Sequence, residues 1–247
     1  MKNEVFSGNH LMIKVIQAKK ILTMNLRNPI ATHMSILNGR ILQVGSIEKI
    51  APVEKYELDD SFKDLIIMPG LVEGHSHLFE GTLWNKLYCG YFDRQKPDGS
   101  IQKGTKNVNE LISNLKHAED KIKDSKTALS GWGLDPIYFS DKNLDRVILD
   151  KVSEKRPIGI LHASGHKLNV NSLGLKLAGF LRPGINHDGL PLGKDGIPTG
   201  EIRGAETIAL VTKHVGLGKD WLSGDAEGLR NFGKICARAG VTTATDL

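Results

Sequence analysis

His75 and His77 stand one residue apart, after the apolar run Leu65-Ile66-Ile67-Met68 and the pair Pro69-Gly70. In a strand, side chains alternate between faces, so both imidazoles would point the same way and could grip one metal ion. In a helix they would sit about 200° apart and could not share an ion. The apolar run and the Pro-Gly pair favour a strand. Gly74 would permit close approach, and Ser76 between the histidines is small. A catalytic zinc takes at least three protein ligands, so the pair is at most half a centre. From spacing alone it reads equally as a metal half-site or as a satisfied structural pair.

Other residues carry chemistry with a plainer alternative beside each. His162 and His166 flank Ala163-Ser164-Gly165 and could line a substrate pocket or hydrogen-bond within a turn. Trp132, between Gly131 and Gly133, could be a pocket wall or a core aromatic. Glu80 follows the histidine pair by three residues and could support the metal ligands or sit in solvent. Arg203 could meet a substrate carboxylate or form a surface salt bridge.

The elements that must position these residues are those of an ordinary globular chain. It has 247 residues, 40% of them hydrophobic and 25% charged. The net charge of +5 is spread out, without basic stripes interleaved with aromatics, which argues against nucleic-acid binding. Met1 to His10 lacks the apolar core of a signal peptide. No apolar run approaches the ~20 residues that span a bilayer, so no membrane role is expected. Cys89 and Cys236, far apart in sequence, suggest a reducing compartment and a cytoplasmic protein.

Residues 11–62 read as small strands, with a hairpin from Ile30 to Gly45 turning at Asn38-Gly39. Val108, Leu111, Ile112, Leu115, Ala118 and Ile122 have helical spacing, and Asn107 with Glu110 makes a capping box. Asn143 is the expected cap of a helix through Leu144 to Val152. A strand Pro157–Ala163 and a helix Asn171–Ala178 closed by Gly179 follow. Leu181 to Gly200 reads as a long Gly- and Pro-rich loop, of the sort that often forms lids or binding loops. A helix from Ala205 to about His214 comes next. Another from about Trp221 to Ala239 is expected to bury Leu222, Ala226, Leu229, Phe232 and Ile235. Val241–Thr245 reads as a buried-type strand.

Several stretches together resemble the amidohydrolase superfamily. They are Ile36-Leu37-Asn38-Gly39-Arg40-Ile41 with Val44-Gly45, and Met68-Pro69-Gly70-Leu71-Val72 with His75-Ser76-His77. Leu161-His162-Ala163-Ser164-Gly165-His166, Asn169-Val170-Asn171-Ser172, Asp195 to Glu201 and Gly240-Val241-Thr242-Thr243 are similar to amidohydrolase family 3. That branch includes YtcJ-like proteins and N-substituted formamide deformylases. The likeness runs from about Ile13 to Leu247.

The resemblance implies an α/β fold: part of a composite β-sandwich, then the first two strands of a metal-dependent-hydrolase TIM barrel, with a large α+β insertion between them. Residues 11–62 would be sandwich and 63–77 the first barrel strand (its core 65–74) with metal ligands His75 and His77. Residues 78–218 would be the insertion, and 219–247 the first barrel helix and second strand. The activity implied is hydrolysis of non-peptide C–N bonds in a small amide-type substrate, with one or two divalent metal ions, zinc by preference. The catalytic Asp and remaining ligands of such proteins come from later strands. The chain is therefore expected to be a fragment, a truncated reading frame or half of a split gene. It would be inactive alone, pairing with a complementary C-terminal chain or with itself.

Overall fold

The computed structural model describes residues 12–50, 55–139, 144–218 and 224–246. The chain divides into two compact units between Leu71 and Val72.

The first unit is a four-stranded sheet built from β1 (Ile13–Leu22), β2 (Ile30–Leu37), β3 (Arg40–Gly45) and β4 (Tyr56–Ile67), in the order β3-β2-β1-β4. A one-turn helix, α1 (Ile47–Ile50), follows β3. The hairpin turns at Asn38-Gly39 as expected, with φ of 53° and 73°, the left-handed pair that a two-residue turn requires. Ala18, Ile21, Ala31 and Met34 form its small core. β4 runs parallel to β1 and takes in Leu65, Ile66 and Ile67. The expected strand over 65–74 is therefore two strands. Pro69 cannot donate to a ladder, and the chain breaks at Met68–Gly70 before β5 (Leu71–Ser76) begins.

The second unit centres on a five-stranded sheet of β6 (Leu87–Tyr88), β9 (Leu129–Leu134), β10 (Ile158–His162), β11 (Lys167–Val170) and β12 (Glu201–Arg203). β7 (Arg94–Gln95) and β8 (Ile101–Gln102) form a separate hairpin. The β6, β9 and β10 strands are parallel, and β11 and β12 return antiparallel. Tyr88, Trp132, Leu161, Leu168 and Ile202 make one cross-strand row. They pack with α5 (Ser172–Leu177) and α6 (Ala205–Thr212) through Leu175, Ile208 and Val211. On the other face Leu129, Ile158 and Ile160 pack with α3 (Val108–Glu119) and α4 (Arg146–Asp150) through Leu111, Leu115 and Leu149. The 78–218 segment is thus a mixed sheet with helices on both faces.

Of the two expected caps, Asn107 is found and Asn143 is not; Asn171 caps α5 as well. Asn107 Oδ1 accepts from Glu110 N, and Asn171 Oδ1 accepts from Gly174 N. Asn143 lies outside the described residues, and α4 is capped by Asp145, which accepts from Ile148 N. Buried Arg156 ties loop to helix, donating to the carbonyls of Ile122, Asp124 and Thr127 and pairing with Glu119. Two thiols are free, Cys89 in the core and Cys236 half-buried.

β5 pairs with β13 (Val241–Asp246). The helix α2 (Glu80–Leu83) packs on α7 (Ala226–Arg238). Two expectations fail here. β13 is largely exposed rather than buried. In α7 only Gly228 is buried; Ala226 and Leu229 are exposed, Phe232 and Ile235 half-buried, and Leu222 lies outside the described residues. The apolar stripe is present, but its described neighbours α2 and β13 are too small to cover it.

Candidate functional site

Strand alternation places the histidine pair as its spacing predicts. His75 is the fifth residue of β5 and exposed; His77 follows the strand and is half-buried. Their rings lie 5.2 Å apart between centres, edge to face. Two imidazoles held ~2.1 Å from one tetrahedral ion bring their ring centres to roughly 5 Å, so the pair fits a shared metal. Neither ring hydrogen-bonds to another described residue. No third His, Cys, Asp or Glu joins them in a metal-holding group among the described residues. The pair is anchored through its backbone. Glu73 accepts from His75 N, Ser76 Oγ donates to the Thr245 carbonyl, and Asp246 accepts from Leu78 N. His77 stacks on Phe79 at 5.1 Å.

A cavity of about 710 Å³ opens beside this pair. His77, His162, His166 and Trp132 all line it; His75 does not. Among the described residues, Phe79, Tyr88, Tyr91, Phe92, Trp132 and Tyr138 contribute aromatic rings to its wall. Leu83, Leu161 and Ile208 add aliphatic surface, and Glu80, Arg94, Asp135 and Lys213 bring charge.

Trp132 is both core and wall, being 4% exposed and packed edge-on against Trp84 and Tyr88. The register slips at Gly133, where φ is +87°: Trp132 faces Leu161, whereas Leu134 faces His162. That bulge lets β9 offer Trp132 to one core and Leu134 to the other. Arg94 lies over the Trp132 ring at 5.4 Å and 3.7 Å from Glu80. Glu80 is therefore an ion-pair partner on the cavity wall.

His162 ends β10, is buried, and hydrogen-bonds Asn169. Burial lowers its pKa against the opposing hydrogen bond. His166 is exposed at the cavity edge. Both line the cavity, His162 from the end of β10 and His166 from the turn that follows, where its backbone N donates to Ser164 Oγ. Arg203 pairs with Glu201, the plain alternative. No residue of the 181–200 loop lines the cavity. Burial pushes the Cys89 thiol up to about 12, which makes it a core group rather than a nucleophile. Tyr88, Tyr91, Phe92, Arg94 and Tyr138 were not legible as site residues. For Tyr88, Tyr91 and Phe92 the sequence signal is the crowding of aromatics between positions 79 and 92; Arg94 and Tyr138 have none.

Comparison with known proteins identifies the family. The model of a family described as "Amidohydrolase family" matches residues 63–247. The Arabidopsis thaliana protein LONG AFTER FAR-RED 3 is 28% identical over 238 residues, covering 92% of this chain and 37% of that protein. An uncharacterized metal-dependent hydrolase from Pyrococcus horikoshii OT3 shares the fold at a TM-score of 0.55 and 18% identity. The match covers 95% of this chain and 43% of that one. A counterpart from Pyrococcus furiosus gives 0.53 and 18%, covering 95% and 44%. The chain thus spans well under half the length of these relatives. With all of its second unit and the end of β4 inside the family match, the chain belongs to the amidohydrolase family.

Proposed function

We propose that the chain is the amino-terminal part of a metal-dependent hydrolase acting on non-peptide carbon–nitrogen bonds in amides or formamides. His75 and His77 would be the first two ligands of a divalent ion, zinc by preference. The observation that carries this reading is the position of His77, which belongs both to the imidazole pair and to the cavity wall. A bound ion of this kind lowers the pKa of its water toward ~7 and polarises a carbonyl. The chain's own residues bind and orient. The aromatic wall would take the apolar body of a substrate and exclude water, and stacking on Phe79 would hold the His77 ring in place. The free thiols support a reducing, cytoplasmic setting.

A second reading is favoured by the count of ligands. Two histidines without a third partner among the described residues support a half-enzyme that needs a complementary chain, or an inactive remnant.

Equilibrium dialysis against zinc, with turnover assays on secondary amides and formamides, tests both. The chain alone is expected to take up about one equivalent that a mild chelator strips, with no measurable turnover. A His75→Ala, His77→Ala double variant should take up none. Turnover restored by a chain supplying later histidines and an Asp supports the half-enzyme; its absence supports the remnant. Zinc held equally by the double variant would defeat the metal assignment.

A further inference from the structure

A groove of about 660 Å³ is lined by α3 and by the edge strand β6 of the five-stranded sheet. Apart from Tyr88 it shares no lining residue with the aromatic cavity, and its size suits a small organic ligand. Glu110, Asn114, His117 and Ala118 line it at helical spacing along α3, and Lys121 continues that stripe just past the helix end. Asn85, Lys86 and Leu87 line it from the β6 side, with buried Leu129 and Ser130 of β9. The charge of this lining is one-sided. Lys86, Lys103 and Lys121 stand against Glu110, the lining carboxylate among the described residues. Glu110 already accepts from Lys106 N, and Lys103 pairs with Asp93 at 2.6 Å. Neither Lys86 nor Lys121 has an ion pair or a side-chain hydrogen bond among the described residues. Lys121 complements the carboxyl end of the α3 dipole. Lys86 has no such neighbour, yet it is half-buried, and a cation drawn out of water favours an anionic partner.

We propose that this groove is a second ligand site, taking phosphate monoesters that carry a small apolar body. A phosphate monoester bears about −1.5 to −2 charge at neutral pH, which matches two unpaired ammonium groups. The flexible lysine stems let Lys86 and Lys121 turn toward one anion. Asn85 and His117, whose side chains have no hydrogen-bond partner among the described residues, supply further donors to its oxygens. Leu87, Ala118 and Ile122 in the same lining receive the apolar body. The site is independent of the metal assignment, since neither His75 nor His77 lines it.

Isothermal titration of the chain with phenyl phosphate, phenol and inorganic phosphate tests the proposal. Phenyl phosphate is expected to bind about tenfold tighter than either of the others. In a Lys86→Gln, Lys121→Gln double variant that melts like the unaltered chain, its affinity should fall about tenfold, to the level of phenol. Salt gives a reading that needs no variant: raising NaCl from about 50 to 500 mM should weaken phenyl phosphate by roughly fivefold. Phenyl phosphate held equally by the double variant would place it elsewhere, at Arg94 or Lys213 of the aromatic cavity for instance, and would overturn the proposal. So would an affinity equal to that of phenol or of inorganic phosphate, an affinity indifferent to salt, or no binding at all.

Discussion

His162 loses affinity for a proton because burial removes the water that would solvate an imidazolium. The Asn169 hydrogen bond and the nearby Glu201 and Asp135 carboxylates oppose that shift without reversing it. The sign of the consequence follows from linkage. Below pH ~6.5 the unfolded chain takes up a proton that the folded one resists, so this residue's contribution is present above that pH. It is lost as pH falls toward the depressed folded value. Urea midpoints should therefore fall more between pH 7.5 and 5.5 in the unaltered chain than in His162→Phe; equal falls would contradict the burial argument. At this scale the sequence was most legible where one strand's alternation decides the outcome, as for His75 and His77. His162, His166 and Trp132 could be named as types, yet nothing local distinguished wall from core. That distinction comes from the Gly133 bulge and the Trp132–Leu161 register, which pair positions ~30 residues apart. Arg94 and Tyr138 reach the cavity only through tertiary packing.

Among the elements, α2 and α7 meet at backbone distance. A Cβ on Gly81 would lie 1.9 Å from the Gly228 carbonyl oxygen, and one on Gly228 would lie 2.1 Å from Thr82 Oγ1. Gly228→Ala should destabilise the second unit by about 1–3 kcal/mol, as overpacking does. Gly233→Ala on the same helix, where an added Cβ meets nothing within 4 Å, should instead stabilise by up to ~1 kcal/mol. Denaturant midpoints of the two variants check the contrast; equal effects would mean that α7 does not pack on α2 as described. Elements with strong local punctuation were legible: the Asn38-Gly39 turn, the Asn107 cap, and α5 closed at Gly179. β9 was not, because Gly131 and Gly133 dilute its strand signal, and β11 and β12 are too short to show a period. The apolar run before the histidines misled because its end belongs to β4, and only six residues beyond Pro69-Gly70 form β5.

For the molecule as a whole, exposed apolar surface is the feature that the family relation makes intelligible. Val72 is 71% exposed, Ile66 60% and Leu229 48%, on strands and a helix whose faces lack a covering layer among the described residues. Purified alone, the chain should self-associate, seen as oligomers growing with concentration in sedimentation velocity. A single monomeric species at every concentration would contradict that expectation. The proposed metal centre takes its first two ligands from His75 and His77. X-ray absorption on the zinc-loaded chain tests this most directly by counting the donors around the ion. The account predicts two imidazole nitrogens at ~2.0–2.1 Å, with oxygen donors completing the shell, and loss of the imidazole signal in the His75→Ala, His77→Ala variant. Sulfur ligation, or an imidazole signal that survives the double substitution, would contradict it.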